Sequence, residues 1–159
     1  MSDASPILRR LESWAIEELG AQRRTLERLQ QQAAALSDGD PSSLEARGRE
    51  IESESAACLE RATRRSTLLR ALGALWGVDP KSLTLGSIAE RCGRDGERLA
   101  RLRSDLRRAA AATARASRGN VRAARSHQRA WSEILGGLLN AAAPSGELLG
   151  GGQLVDAEA

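Results

Sequence analysis

One stretch constrains this chain more than any other. From about Asp95 to Leu139, Leu99, Leu102, Leu106, Ala109, Thr113, Ala116, Asn120, Ala123, His127 and Ala130 follow one another at alternating spacings of three and four. That is the 3.5-residue repeat of a helix that presses one stripe against partner helices. Behind the stripe, Arg94, Arg101, Arg108, Arg115, Arg122 and Arg129 recur every seven residues. A seven-residue repeat drifts round a straight helix but keeps to one side of a left-handed supercoil. The segment is therefore expected to be one long helix with a buried seam and an arginine-lined outer face. At about 1.5 Å per residue it would span roughly 65 Å, so a rod-like helical protein is expected.

Composition agrees with thin helix-on-helix contacts. The 159-residue chain has no Phe and no Tyr, so its core must come from Leu, Ala, Ile and the tryptophans Trp14, Trp76 and Trp131. Cys58 and Cys92 form no Cys-x-x-Cys pair, which argues against zinc and for a reducing compartment. No apolar run approaches the roughly 20 residues of a membrane span, and residues 1–10 lack the apolar core of a signal peptide. A cytoplasmic protein without membrane insertion is expected. Charge is uneven: residues 91–133 carry 12 Arg against Asp95, Glu97, Asp105 and Glu133, whereas residues 1–90 carry 12 basic and 14 acidic residues. All 24 basic residues but Lys81 are Arg, a bias that fits a GC-rich genome.

The remaining segments can be read in order. Pro6 suits the first turn of a helix, where its missing N–H costs little. Leu8, Leu11, Ala15, Leu19, Gln22, Leu26, Leu29, Ala33 and Leu36 then give a stripe along a first helix at about 7–37. Asp38-Gly39-Asp40-Pro41 ends it: Gly39 takes the left-handed cap, Asp40 is the next N-cap and Pro41 its first position. So short a link makes the first two helices antiparallel neighbours. The second, 41–76, has the seam Leu44, Gly48, Ile51, Ser55, Cys58, Ala62, Arg65, Leu69, Leu72 and Trp76, widened by Leu59, Leu68 and Leu75. Its Leu68–Trp76 end is expected to pack best. Gly77-Val78-Asp79-Pro80 breaks it, Thr84 caps a short helix at 85–92, and Gly93 and Gly96 lead into the long helix at 95–140. Residues 143–159, with Gly146 and Gly150–Gly152, are expected to be a flexible tail carrying Leu148-Leu149. The fold expected is all-α: an elongated antiparallel bundle of three long helices and one short connecting helix over 1–142, packed like a coiled coil.

Catalytic chemistry is not in evidence. There is no phosphate-binding Gly-rich loop, and the single histidine, His127, shares its turn with no carboxylate. Cys58 reads as a small packing residue on its seam. No catalytic residue, metal site or cofactor is expected. The arginine column admits two readings, a solvated face or a polyanion-binding stripe. No Lys, aromatic or amide side chains interleave with it as base-reading partners do, so no nucleic acid is expected. Asn120 is a polar seam residue that can fix register or meet a partner's backbone. His127 repeats its seam position one heptad on. Beyond it, Trp131, Ile134, Leu135, Leu138 and Leu139 make the richest apolar surface of the chain. Helices one and two are shorter than the third, so this surface is expected to be left for another chain.

This layout resembles the FlgN-type flagellar export chaperones. The matching residues are the Gly39-Asp40 turn followed by Ser43-Leu44-Glu45, the leucines Leu68, Leu69 and Leu72, Gly77-Val78, and Thr84-Leu85-Gly86-Ser87-Ile88. The seam Asn120 and the tail Leu148-Leu149-Gly150 to Gly152-Gln153 match as well, and the resemblance covers residues 7–153. It implies a cytoplasmic chaperone of type III flagellar export that holds the C-terminal helices of hook-associated proteins. It implies a client-binding set of Asn120, Ala124, His127, Trp131, Ile134, Leu135 and Leu138, and docking of Leu148 and Leu149 on the cytoplasmic domain of an FlhA-type export gate. Two positions depart from the family: Leu149 stands where some members have tyrosine, and Ala116 or Ser117 where a second asparagine is expected. The alternatives from other classes are an arginine-striped scaffold for nucleic acid or another polyanion, and a structural coiled-coil dimer. Polyanion binding would weaken steeply as salt rises, whereas an apolar helix-in-groove contact would not.

Overall fold

The computed structural model describes residues 4–142, and among them there are helices and turns but no strand. Helix α1 spans Ser5–Asp38, α2 Pro41–Trp76, α3 Leu85–Cys92 and α4 Glu97–Ala142. Short 3₁₀ turns at Pro80–Ser82 and Gly93–Gly96 complete the connection between α2 and α4. The all-α architecture of three long helices and one short one is as the heptads and breakers predict. The expected tail 143–159 lies outside the described residues.

Local chemistry sets most boundaries. Gly39 adopts φ 65°, a left-handed conformation it tolerates because it has no Cβ to clash with the backbone, and Asp40 N–H closes on the Ala35 carbonyl at 3.1 Å. The Asp40 carboxylate then accepts from the N–H groups of Ser42 and Ser43, satisfying the open end of α2. These bonds, that from the Ser43 hydroxyl first, hold its pKa below the usual carboxylate value. Gly77 repeats the left-handed stop at φ 64°. Thr84 and Ser87 form a reciprocal capping box that starts α3.

The chain divides into two units, Met1–Ala124 and Arg125–Ala159. In the first, ion-pair partners fall along α2 as they rise along α1: Glu17 meets Arg64, Glu18 meets Arg61 and Arg28 meets Glu54. The two helices are therefore antiparallel. The same unit joins α1 to α4 in the parallel sense, because Glu12 meets Arg98, the Thr113 hydroxyl donates to the Gln22 carbonyl, and Asn120 reaches Leu29. Its core lies where α1, the end of α2, α3 and the start of α4 converge, around Leu11, Trp14, Leu72, Leu83, Ile88 and Leu99. The Leu68–Trp76 end is thus the well-packed end of α2. Trp14 satisfies its indole by donating to the Arg61 carbonyl at 2.8 Å, and the Arg65 guanidinium lies 5.5 Å from the ring centroid.

Gly96 seats the start of α4 against α3. A Cβ added there would run into the backbone of Ala89, which is held inside its own helix and cannot swing away. Gly96→Ala is expected to cost about 1–3 kcal/mol by overpacking, seen as a lower urea midpoint with an unchanged m-value. A midpoint equal to that of the parent chain would show that α3 and α4 are not in contact there.

The inward positions of α2 differ from the expected seam. Cys58, Leu59 and Ala62 are exposed, Leu59 at 72 %. Arg61 is instead buried at 8 %, with Glu54 partly buried beside it. Apolar character misleads here because Arg61 turns inward to meet two carboxylates: its Nε is 2.7 Å from Glu18 and its Nη2 2.9 Å from Glu54. Burial alone would lower the pKa of Arg61, but the hydrogen bonds and charges of Glu18 and Glu54 outweigh it and raise the value. In α1 the small buried residues are Ala15, Ala21 and Ala35, while Ala33 faces solvent.

Candidate functional site

The seam of α4 holds as a buried or half-buried line from Leu99 through Leu102, Leu106, Ala109, Thr113 and Ala116 to Asn120, and Ala123 is half-buried. Two polar members set its register. The Thr113 hydroxyl donates to the carbonyl of Gln22, and seven residues on, Asn120 Nδ2 donates to the carbonyl of Leu29 at 2.8 Å and to Gln32 Oε1 at 2.8 Å. One heptad on α4 therefore matches one heptad on α1. Of the two roles open to Asn120, fixing register and meeting a partner's backbone, its amide nitrogen performs the first, and at 8 % exposure it is part of the interior. A slip by one turn would take that amide away from Gln32 Oε1, and a buried donor left unpaired costs about 1–3 kcal/mol.

Near this end of the first unit, α1, α2 and α4 leave a shallow groove of about 510 Å³ between Leu29, Leu36, Leu44, Ile51, Asn120 and Val121. Ala124 borders the same groove and is exposed. The seam pattern stops short of its expected end, because His127 and Ala130 are exposed. A 3.5-residue pattern states which residues share a face but not whether a partner covers it.

In the second unit, the C-terminal part of α4 carries the remaining members of the expected site. Trp131 is 62 % exposed, and Ile134, Leu135 and Leu138 are exposed with it. Their spacings of three, one and three place them on one side of the helix. Leu139, 72 % exposed, widens the stripe. Surface leucines taken singly need no explanation, but five large apolar side chains adjoining on one helix form a patch of the kind that marks an interaction site. Arg125 was not among the expected site residues. Its signal is the heptad position that it shares with Ser132 and Leu139 along one edge of the stripe.

The arginine column is solvent-facing throughout, with Arg94, Arg101, Arg108, Arg115, Arg122 and Arg129 all exposed. Within it, Arg101 pairs with Glu97 and Arg108 with Asp105, both on α4 itself. Among the described residues no group of three His, Cys, Asp or Glu is placed to hold a metal ion, and no helix is long and apolar enough to cross a membrane. Burial, then the charge of Asp95, pushes the Cys92 thiol pKa up, so it is not an activated nucleophile. Leu148 and Leu149 lie outside the described residues. Comparison with family models, with curated proteins and with solved structures gave no match.

Proposed function

We propose that this chain is a helix-binding export chaperone, and that the stripe Trp131, Ile134, Leu135 and Leu138 takes the apolar face of a client helix. The observation that carries the reading is the exposure of those four side chains together on one side of α4. Fully burying each would stabilise a complex by about 1.5–3 kcal/mol before the cost of association is met. The resemblance of residues 7–153 to FlgN-type proteins supplies the client class, the C-terminal helices of hook-associated proteins. It also supplies the delivery step, in which the tail with Leu148 and Leu149 docks on the export gate. In this reading Asn120 and Thr113 hold α4 in register for the client.

The test pairs two aspartates with two measurements. The double variant Ile134→Asp/Leu138→Asp is expected to lose binding to a purified hook-associated C-terminal segment by at least about 100-fold, while its far-UV helical signal changes little. Each charge placed in a desolvated contact costs several kcal/mol, whereas on a solvent-facing position it costs within about ±0.5 kcal/mol. Loss of helicity in the double variant would make these residues part of a core and refute the reading. So would client binding equal to that of the parent chain.

A further inference from the structure

We infer that the partner of the Trp131–Leu138 stripe is an acidic amphipathic helix of another protein, with a carboxylate at the edge position that meets Arg125. This rests on the helix-docking reading and adds to it the chemistry of the partner. The local observation is a cluster of exposed polar side chains along that edge, Arg125, Gln128, Arg129, Ser132 and Glu133. Arg125 and Arg129 are exposed, and among the described residues neither has a carboxylate within ion-pairing distance. Arg125 shares its heptad position with Ser132 and Leu139, the flanking position from which charged side chains select partners across a helix pair. Its guanidinium offers a planar fork of donors that matches a carboxylate.

Charge also decides between the candidate occupants. Residues 91–133 hold 12 Arg against four carboxylates, so a second copy laid along α4 would bring like charge to like charge. Such juxtaposition is unfavourable, whereas an acidic helix is drawn in and orients on approach. The far edge of the stripe does not compete for the carboxylate, since Ala130 and Gly137 are small and uncharged.

The full chain is titrated with two designed helical peptides that share one Leu stripe at i, i+3, i+4 and i+7. One carries Glu and the other Lys at the edge positions. At low salt the Glu peptide is expected to bind about tenfold tighter, with the preference shrinking as salt rises. Arg125→Glu is expected to weaken the Glu peptide by about five- to tenfold and to strengthen the Lys peptide. Arg107→Glu, an exposed charge change on the same helix, is expected to change neither by more than about twofold. Equal binding of the two peptides, or an equal effect of Arg107→Glu, would overturn the inference and leave helix docking standing. Binding of neither peptide would instead refute helix docking itself. Sedimentation that shows a dimer of the chain dispersed by Leu138→Asp would overturn the inference in favour of a second copy.

Discussion

Arg61→Ala is expected to destabilise the chain by about 3–5 kcal/mol, lowering the thermal midpoint by roughly 10 °C. The guanidinium sits between α1 and α2 with its side chain 9 % exposed, bonded to Glu18 at 2.7 Å and to Glu54 at 2.9 Å. Removing it leaves two partly buried carboxylates without their shared partner: Glu54 keeps Arg28 at 3.1 Å and Arg24 at 3.9 Å, but Glu18 keeps only the neutral amide of Gln22 at 2.9 Å. The cost is therefore that of stranded charge more than of a lost attraction. The triple replacement Glu18→Leu/Arg61→Met/Glu54→Leu removes all three charges and is expected to be neutral or more stable than the parent. Urea denaturation of the two variants measures the difference. A loss below about 1 kcal/mol for Arg61→Ala would show that water screens the cluster as it screens surface pairs. Since its partners raise the pKa of Arg61, its charge persists, and the effect is expected to hold as pH rises from neutral until the strongly alkaline range.

The second large effect compares two leucines of similar helical context. Leu72 is fully buried among Leu11, Ile88 and Leu99, whereas Leu138 is 61 % exposed. Leu72→Ala is expected to cost about 2–5 kcal/mol through lost burial and the cavity left behind. Leu138→Ala is expected to change stability by no more than about 0.5 kcal/mol. Denaturation of both variants in parallel measures the contrast. Equal costs would mean that Leu138 belongs to a folded core, and the docking surface would have to be sought elsewhere, first at the groove between Leu36, Leu44 and Val121.

Helix content, the stops at Gly39 and Gly77 and the caps at Asp40 and Thr84 were legible in the amino-acid sequence, because each depends on residues within one turn of the chain. The upper seam of α4 was legible for a related reason: from Leu99 to Asn120 the apolar period is regular enough to define a single face. Tertiary structure alone decided which face of α2 turns inward. Hydrophobicity pointed to Cys58 and Ala62, but Arg61 is the inward residue because its charge is balanced by Glu18, 43 positions away in sequence, and by Glu54. The same holds for the end of α4. Periodicity placed Trp131, Ile134, Leu135 and Leu138 on one side, while their exposure depends on whether another helix lies across them. Asn120 makes the point from the other direction. A lone polar seam residue announces a constraint, but only the Leu29 carbonyl and the Gln32 amide on α1 tell that the constraint is the register between the first and the last long helix.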